Sequence, residues 1–314
     1  MSFGLQTTLR NRVTISGAGV HLAVPAQVTL HPADADSGVL FLRTGLPGGR
    51  ERLLEAKRLN VTSTALCTVL GDGSGAAVST VEHLLGAIFG LQIDNVLIEI
   101  DGPETPVRDG SAADFVNAID RAGVVRQPRP RRHLRILKRV RVERDGAYAE
   151  FLPSERGFRL DVEIDYSSPA IGRQRRTFNL DPTTFRREIA RARTFGFVGD
   201  VEELWRSGHA LGSSLENSVA IDGAAILNPE GLRYSDEFVR HKALDVIGDL
   251  SLIGAPIIGL YRTYRPGHSL NAVAVAALLD HGSAHEFVEA PAVKAFSRSL
   301  GTGAHLPAVF AAAD

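Results

Sequence analysis

The sequence is nearly free of cysteine. Its 314 residues include one, Cys67. A single thiol cannot form an internal disulfide, and closed structural zinc sites typically require several cysteines, so the sequence excludes a disulfide framework and disfavours that type of zinc site. Low cysteine usage is typical of a reducing compartment, and we expect the protein in the cytoplasm.

The sequence also lacks long hydrophobic runs and a strong net charge. Its first ten residues, MSFGLQTTLR, lack the apolar core of a signal peptide, and no apolar run approaches the roughly 20 residues of a membrane span. We therefore expect no stable membrane insertion. The net charge of −1 at pH 7 gives no global field that favours nucleic acid, so we expect no nucleic-acid partner.

What the sequence does contain is typical of a globular α+β protein. Apolar residues make up 44% of the chain and charged residues 23%. The predicted strands and helices are segregated rather than alternating, which favours layers of sheet packed with helices in each half. The length predicts two domains, at residues 1–126 and 127–300, followed by a tail at 301–314. The boundary lies in GVVRQPRPRRHL, residues 123–134, which we interpret as a solvated linker because no aromatic residues interleave its arginines.

Hydrophobic periodicity and turn residues predict the elements of each half. In the first half we predict strands at residues 12–15, 27–31, 39–43 and 95–100, and helices at 80–89 and 113–122. In the second half we predict strands at 135–143, 147–152, 159–166 and 256–261, and a hairpin at 218–226. The predicted helices of the second half are 183–193, 201–206, 236–250, 270–279 and 285–300.

The helix predicted at residues 236–250 has two different faces. Its apolar stripe consists of Val239, Ala243, Val246, Ile247 and Leu250. His241, Asp245 and Asp249 share the other face, with Lys242 beside them. An imidazole and a carboxylate one turn apart can both reach one point, as two protein ligands of a divalent metal must. The alternative is that these polar residues solvate the outer face of a core helix.

A further candidate ligand, His83, lies in the first half. Together with His241 and Asp245 it completes a set of two histidines and one carboxylate, which leaves a coordination position open for water, the pattern of catalytic zinc. Glu82, which precedes it, also matches a capping box in which its carboxylate accepts from the Ser79 amide. Spacing alone therefore leaves open a purely structural role for this pair.

Other polar features are ambiguous on their own. His268 follows Gly267 in a predicted turn, and an ordinary loop residue is the alternative. For Thr194, next to the predicted helix 183–193, the alternative is a helix C-terminal residue that faces solvent, and Asp249 either orients a histidine or decorates its helix. The sequence contains neither a phosphate-binding glycine loop nor a Gly-x-Ser-x-Gly nucleophile motif, and Cys67 has no base near it in sequence. No other catalytic motif therefore competes with the metal hypothesis.

Seven segments, taken in order, resemble a known enzyme family. They are SGAGVH at residues 16–21, STVEHLLGAIFGLQIDNVLIEIDGPETPVRDGSA at 79–112, IDYSSPAIGRQ at 164–174, RARTFGF at 191–197, GSSLENSV at 212–219, LNPEGLRYSDEFVRHKALDVIGDL at 227–250 and GHSLN at 267–271. They resemble the UDP-3-O-acyl-N-acetylglucosamine deacetylases, zinc amidases that commit carbon to lipid A. The resemblance spans about residues 4–300 and implies two layered α+β domains with the active site in the cleft between them.

This resemblance implies a role for each candidate residue. The zinc ligands would be His83, His241 and Asp245, and ferrous iron is an alternative metal. The other implied roles are general base for Glu82, general acid for His268, orientation of that acid for Asp249, stabilisation of the polarised intermediate for Lys242, and a hydroxyl beside the scissile carbonyl for Thr194.

The resemblance also implies substrate contacts. The residues concerned are His21, Asp165, Tyr166, Phe195 and Phe197, of which the two phenylalanines would wall the substrate and Tyr166 with Asp165 would meet the uracil. Segment 167–201 would form an apolar passage for the fatty acyl chain. The chain departs from the family pattern at Leu22, Ser168 and Ser213, none of which belongs to the metal set.

We therefore expect zinc-dependent hydrolysis of the 2-N-acetyl group of UDP-3-O-acyl-N-acetylglucosamine, with acetate as product. We expect a monomer whose partner is this small-molecule substrate. An amide carbonyl is a poor electrophile and water a poor nucleophile, and a metal addresses both faults. Two alternatives are a non-catalytic binding protein for acylated sugar nucleotides and a zinc deacetylase of another N-acetyl sugar nucleotide. Retention of Glu82 and of all three ligands favours an enzyme.

Overall fold

The computed structural model describes residues 4–289, which form a mixed α+β structure of several sheets and six helices. The strands of the first half are β1 Leu5–Leu9, β2 Val13–Ala18, β3 Pro25–Pro32, β4 Val39–Leu46, β5 Arg50–Glu55, β6 Val61–Ser63, β7 Val69–Gly71, β8 Ala77–Val78, β9 Val96–Ile100 and β10 Val124–Pro130. Those of the second half are β11 Arg132–Ile136, β12 Val140–Arg144, β13 Ala147–Leu152, β14 Phe158–Asp165, β15 Arg173–Leu180, β16 Phe195–Phe197, β17 Val219–Asp222, β18 Ala225–Ile226, β19 Ile257–Tyr264 and β20 His285–Glu289. The helices are α1 Glu82–Gly90, α2 Ala113–Ala122, α3 Pro182–Thr184, α4 Val201–Arg206, α5 Glu237–Ser251 and α6 His268–Asp280. Within residues 4–289, no helix is long and apolar enough to cross a membrane.

The first half is built on a five-stranded sheet in the order β2-β3-β9-β4-β5. On β3, Ala26, Val28 and Leu30 are buried and alternate with more exposed neighbours, so one face of the sheet packs into the core. Helix α2 packs against β2, and α1 packs against α2. The strands predicted at 12–15, 27–31, 39–43 and 95–100 correspond to β2, β3, β4 and β9, whereas β5 was not predicted.

The second half is built on a seven-stranded sheet around β19. This strand pairs in parallel with β11 and β14 and antiparallel with β13, while β12, β15 and β20 extend the sheet outward. Tyr261 and Thr263 are buried and alternate with half-buried Arg262 and Tyr264. Helix α5 packs against β14 and β15, and α6 packs against β12 and β13. Each half thus combines a sheet with helices, which confirms the α+β prediction.

The segment predicted as a solvated linker is largely a strand. Val124–Pro130 forms β10, which pairs antiparallel with β1 near the start of the chain, with Thr8 opposite Val125. This pairing gives the segment backbone partners that a solvated linker would lack, so the linker interpretation is wrong. A domain boundary at this point stays a prediction.

Two helix predictions in the second half are wrong in part. Residues 285–289 form β20, because pairing along all five positions of β11 supplies backbone hydrogen bonds that override the local helical pattern. Residues 290–300 of that prediction and the tail at 301–314 lie outside the described residues. The helix predicted at 183–193 is only α3 followed by a π-helical turn at Phe185–Ile189, because bonds such as Ala190 N to Phe185 O widen the helix.

One predicted strand is divided. The segment predicted as a single strand at 135–143 is interrupted between β11 and β12. Its two parts pair with different neighbours, β11 with β19 and β20 and β12 with β13. A change of partner requires a break in the extended chain, which an alternating pattern does not reveal.

The two halves meet where α1 packs against α5, and two glycines allow the close approach. A Cβ on Gly86 would lie 2.7 Å from Leu244 Cδ1, and a Cβ on Gly248 would lie 2.1 Å from the backbone oxygen of Glu82. Helix α5 buries thirteen of its fifteen residues, including Asp245, Asp249 and His241, the last only 2% exposed. The alternative of a solvated outer face for this helix is therefore wrong, and its polar residues need another explanation.

Candidate active site

Three residues predicted as metal ligands converge between α1 and α5. His83 lies in the first turn of α1, whereas His241 and Asp245 lie one turn apart on α5. Asp245 Oδ1 is 3.5 Å from His83 Nε2 and 3.4 Å from His241 Nε2, and the three ligand atoms all lie within 4.8 Å of one another. The close packing of the two helices thus brings groups from both halves of the sequence to one point.

The surroundings of Asp245 fit a metal ion at this point. Among residues 4–289 its buried Oδ1 has no hydrogen-bond partner, and a buried unpaired carboxylate oxygen is costly unless a cation balances it. Burial lowers the pKa of His241 to about 4, although Asp245 opposes the shift, so this ring is neutral at pH 7. Its Nδ1 lies 3.0 Å from Ala192 O, and a proton held there leaves Nε2 free to donate a lone pair. Two imidazoles and one carboxylate are a donor set suited to zinc.

Lys242 places a positive charge beside this cluster. Its Nζ donates to Asp245 Oδ2 over 3.0 Å and lies 5.5 Å from the centre of the Phe195 ring. Burial would lower the pKa of Lys242, but Asp245 raises it above its usual value. Burial would likewise raise the pKa of Asp245, yet His241 and Lys242 hold it well below its usual value. The ammonium and the carboxylate are therefore both charged at neutral pH.

Glu82 is a buried carboxylate at the start of α1. Its Oε2 accepts a hydrogen bond from Thr68 N over 3.1 Å, while the Ser79 amide donates to a backbone carbonyl. The capping-box prediction is therefore wrong, because Glu82 is the first residue of the helix and not its third. Burial raises the pKa of Glu82. Its other oxygen, Oε1, lies 3.8 Å from Nε2 of His268.

His268 is the first residue of α6 and contacts Asp249 of α5. Its Nδ1 lies 2.9 Å from Asp249 Oδ2. Burial alone would lower the pKa of His268, but the carboxylates of Asp249 and Glu82 raise it to about 10. Asp249 also accepts from Thr68 Oγ1 over 2.6 Å and from Asn271 Nδ2 over 2.8 Å. A protonated imidazole at this position is thus stabilised by a carboxylate that two further donors fix.

Thr194 is held on both sides by backbone hydrogen bonds. Its N–H donates to Gly110 O, and its carbonyl accepts from Val219 N, both over 2.8 Å. Two residues earlier, Ala192 supplies the carbonyl that contacts the ring of His241. The same short segment therefore fixes the ring of His241, a predicted metal ligand, and the threonine predicted to lie near the scissile bond.

A cleft of about 620 Å³ opens from this cluster, and Glu82, Lys242 and the three ligands line its polar end. Much of its wall is apolar. The apolar wall residues are Val20, Leu66, Phe195, Phe197, Val198, Val201, Leu204, Trp205, Ala210, Leu215, Val219 and Ala220. Most of them lie in residues 195–220, so the wall continues beyond the segment 167–201 in which we predicted an acyl passage.

His21 also lines the cleft. Its backbone N–H donates to Glu104 Oε1 over 2.9 Å, and its ring packs edge-on against His209 with ring centroids 5.6 Å apart. The buried Glu104 carboxylate accepts in addition from Leu22 N and from Thr80 Oγ1, each over 2.8 Å. Leu22, one of the departures from the family pattern, makes this contact through its backbone, which any residue there can supply.

Tyr166 and Asp165 are placed differently from the other predicted substrate contacts, since neither is among the residues that line the cleft. The Tyr166 ring lies 5.8 Å from the Phe195 ring and 6.1 Å from the Phe197 ring, measured between centroids. Asp165 Oδ2 accepts from the Tyr264 hydroxyl over 2.6 Å. Tyr166 thus supports the two phenylalanines from the side, and Asp165 is engaged with the neighbouring strand.

Three groups that hold the site were missed by sequence reasoning. They are Thr68 and Asn271, which bind Asp249, and the carbonyl of Ala192, which contacts His241. Asn271 lies in GHSLN, one of the segments that carried the family resemblance, so its position gave some indication of a role. Thr68 lies in the unremarkable run LCTVL, far along the chain from Asp249, and a backbone carbonyl has no signature in residue type at all.

Comparison with known proteins agrees with this geometry. The family model described as "LpxC: UDP-3-O-acyl N-acetylglycosamine deacetylase" matches residues 6–280. Proteins from Brucella ovis, Brucella canis and Brucella suis, each described as UDP-3-O-acyl-N-acetylglucosamine deacetylase, are 50% identical to this chain over 286 residues. The aligned region covers 91% of this chain and 99% of each relative. The family-model match at residues 6–280 includes every residue of the clustered site.

Proposed function

The chain belongs to the UDP-3-O-acyl-N-acetylglucosamine deacetylase family, and from that premise we propose how its own residues carry out the reaction. The enzyme is a zinc-dependent hydrolase that catalyses a step of lipid A biosynthesis. Its substrate is UDP-3-O-acyl-N-acetylglucosamine, from which it removes the 2-N-acetyl group as acetate. Family membership favours this activity over a non-catalytic binding protein and over deacetylation of another sugar nucleotide.

In this proposal His83, His241 and Asp245 hold the metal. The observation that carries the assignment is the buried Asp245 Oδ1, which has no hydrogen-bond partner within residues 4–289 and lies beside the Nε2 atoms of both histidines. Zinc bound there would acidify a water molecule and polarise the acetyl carbonyl. Ferrous iron accepts the same donors, so metal analysis of the purified protein decides between the two ions.

Glu82 acts as the general base. Because Thr68 N holds Oε2, Oε1 is the atom that accepts a proton from the attacking water. Burial raises the pKa of this carboxyl, and a base whose pKa lies closer to the working pH takes up a proton more effectively. Glu82 is not one of the clustered ligand residues, so its replacement should spare the metal.

His268 acts as the general acid on the leaving amine. Although burial opposes the shift, Asp249 and Glu82 raise the pKa of this ring, so both of its nitrogens carry protons at neutral pH. Nδ1 is engaged by Asp249, which leaves the proton on Nε2 for transfer. That nitrogen lies 3.8 Å from Glu82 Oε1, so the base and the acid flank the same small space.

Lys242 and Thr194 act on the acetyl carbonyl in this scheme. The negative charge that develops on the carbonyl oxygen is stabilised by the Lys242 ammonium, which stays charged because Asp245 raises its pKa against the effect of burial. The Thr194 hydroxyl supplies a second donor from a backbone that is fixed on both sides. Preorganised donors of this kind cost little reorganisation when the reaction occurs.

The apolar wall of the cleft takes the 3-O-acyl chain of the substrate. Burial of each methylene contributes about 0.8 kcal/mol, so a long chain supplies substantial binding energy. In this proposal His21, Phe195 and Phe197 contact the substrate directly from the wall. Tyr166 supports the two phenylalanines, and its pairing with Asp165 as the uracil contact rests on the family resemblance alone. The passage is formed mainly by residues 195–220.

We also propose two layered α+β domains, divided near residue 126, with the active site in the cleft between them. His83 and Glu82 come from the first half, and His241, Asp245 and His268 come from the second, which supports this arrangement. One copy of the chain provides every proposed ligand and catalytic group, so we propose a monomer. The single thiol of the chain supports a cytoplasmic location.

Acetate release from UDP-3-O-acyl-N-acetylglucosamine tests this scheme. We expect the purified protein to release acetate in step with substrate loss, to stop after chelation, and to recover when zinc is added. The Glu82→Gln protein is the matched control, because it should bind zinc equally and turn over far more slowly. Equal rates before and after complete metal removal would contradict the proposed site.

A further inference from the structure

Thr68 contacts the proposed base, Glu82, and Asp249, the carboxylate that holds the proposed acid. It is buried at the entrance to β7 and lies on neither of the helices that carry the metal ligands. Its backbone N–H donates to Glu82 Oε2 over 3.1 Å, and its hydroxyl donates to Asp249 Oδ1 over 2.6 Å. Its carbonyl accepts from Val81 N, the residue just before Glu82.

We propose that Thr68 is a positioning residue that fixes the general base through its backbone and the general acid through its hydroxyl and Asp249. This inference rests on the roles proposed above for Glu82 and His268. It adds a residue to which neither the metal cluster nor the sequence pattern assigns a role. Thr68 touches neither the metal ligands nor the reacting atoms in this scheme, so its effect is exerted through its two partners.

The backbone contact determines how Glu82 is oriented. A carboxylate on a short helix start can rotate about its terminal bond, which would exchange its two oxygens. The hydrogen bond from Thr68 N holds Oε2, and the bond from Val81 N to Thr68 O ties the preceding backbone to the same residue. As a result Oε1 stays on the side that faces His268 Nε2.

The hydroxyl contact determines how Asp249 is oriented. Asp249 Oδ2 is shared by His268 Nδ1 and Asn271 Nδ2, whereas Oδ1 is bound by Thr68 Oγ1. Without the hydroxyl, Oδ1 would be a buried acceptor without this donor, and the carboxylate would turn to find another one. A turn of the carboxylate would misalign the His268 ring that it holds.

Packing alone does not prevent such a turn. A cavity of about 70 Å³ adjoins Thr68, Asp249 and His268, which leaves room for the carboxylate and the imidazole to move. Directional hydrogen bonds must therefore supply the orientation that close packing supplies elsewhere in the core. Within residues 4–289, Thr68 and Asn271 are the two non-histidine donors to Asp249, and of these Thr68 also binds Glu82.

Replacement of the hydroxyl by a methyl group tests the proposal. Thr68→Val keeps the shape and the backbone N–H, and Thr68→Ser keeps the hydroxyl and loses the methyl group. We expect kcat of the zinc-loaded Thr68→Val enzyme to fall about tenfold or more, since a hydrogen bond to a charged group is lost. KM and zinc content should stay within twofold of the parent, and Thr68→Ser should recover most of kcat. A loss in Thr68→Ser as large as that in Thr68→Val would overturn the proposal.

The same substitution in a His268→Gln background shows whether the hydroxyl acts through the acid. If it does, Thr68→Val should cause no further loss of kcat there. A Thr68→Val loss of equal size in both backgrounds, or none in the parent, would overturn the inference. If His268→Gln itself leaves kcat unchanged, the proposed acid role fails, and this outcome is visible without any Thr68 variant. Thr68→Ala, measured in both backgrounds, replaces Thr68→Val if that protein does not fold.

Discussion

The polar end of the cleft and the part of its apolar wall formed by α4, here called the rim, differ in how their residues are held. At the polar end, α5 buries thirteen of its fifteen residues, and its Asp249 is bound by Thr68 and His268 from other elements. At the rim, α4 buries none of its six residues, and Trp205 is 53% exposed. The first region is rich in directional contacts, and the second offers mainly apolar surface.

This difference separates chemistry from recognition. Proton transfer and metal binding depend on distances and angles, so the groups that perform them must be held by hydrogen bonds and close packing. Apolar contact is non-directional and roughly proportional to area, so an acyl chain can be bound by a less ordered wall. We therefore expect substitutions at the polar end to change metal content or kcat, and substitutions at the rim to change KM.

Loss of a ligand should disrupt the polar end most completely. In His83→Ala and His241→Ala we expect zinc content to fall from about one ion per chain to near zero, and acetate release to fall to background, because the open site needs all three protein ligands. His31→Ala is the matched control, since His31 lies on the five-stranded sheet of the first half and pairs there with Glu99. Folded variants that keep stoichiometric zinc would refute the ligand assignment.

Glu82→Gln should separate base chemistry from metal binding. We expect zinc content to be unchanged and kcat to fall by about 10²–10⁴-fold, the usual contribution of a general base. Burial raises the pKa of Glu82, so the acidic limb of the parent pH–rate profile should lie above the ordinary carboxyl range and disappear in this variant. Zinc analysis and kcat on one sample decide the matter, and a variant that loses zinc with its activity would contradict the assignment.

The residues that would carry the chemistry of this site were more predictable from the sequence than the contacts that hold them in place. His241 and Asp245 stand one helical turn apart, so helix periodicity alone joined them. His83 comes from another helix, so only its residue type joined it to the other two, and the resemblance to a family was needed to make that link specific. The contact that makes this possible depends on Gly86 and Gly248, and a glycine in a helix gives no indication of which partner approaches it.

The errors in the fold have the same origin. Helices α2, α4 and α5 were predicted within one residue at each end, because local periodicity and caps determine them. Pairing of β10 with β1 and of β20 with β11 joins segments distant in sequence, and it overrode local patterns that indicated a linker and a helix. Thr68 was missed for the same reason, since its role comes entirely from partners elsewhere in the chain.

The pH dependence should reveal the acid. In the proposed scheme His268 acts in its protonated form, so activity should fall as pH rises through its pKa, which Asp249 and Glu82 raise against the effect of burial. His268→Gln should flatten this alkaline limb and lower kcat about 10²-fold. Asp249→Asn removes a charge that raises the pKa, so the limb should move to lower pH. An unchanged alkaline limb in His268→Gln would point to Lys242 as the proton donor.

Gly248→Ala should weaken the packing that assembles the ligands. Its Cβ would lie 2.1 Å from the backbone oxygen of Glu82, so α1 must move away from α5. We expect a loss of about 1–3 kcal/mol in the free energy of unfolding, as for other overpacked core positions, together with weaker zinc binding. Gly282→Ala is the control, because its Cβ would meet no atom within 4 Å. Denaturant unfolding and zinc competition measure both effects, and equal behaviour of the two variants would contradict the packing argument.

Trp205→Ala should have the smallest effect and should act on recognition alone. The indole lines the cleft and is half exposed, and its Nε1 donates to Ala210 O over 3.2 Å. Loss of apolar area equal to one or two methylenes should raise KM for the acylated substrate about four- to fifteenfold and leave kcat unchanged. With a substrate that lacks the 3-O-acyl chain, parent and variant should have equal KM. Trp205→Phe keeps an aromatic ring but loses the hydrogen bond, and its KM should stay close to that of the parent. Glu203→Ala changes an exposed residue of α4 that does not line the cleft, and its KM should also match the parent. A fall in kcat, or an equal rise in KM with both substrates, would mean that the rim also positions the reacting amide, and the division between the two regions would no longer hold.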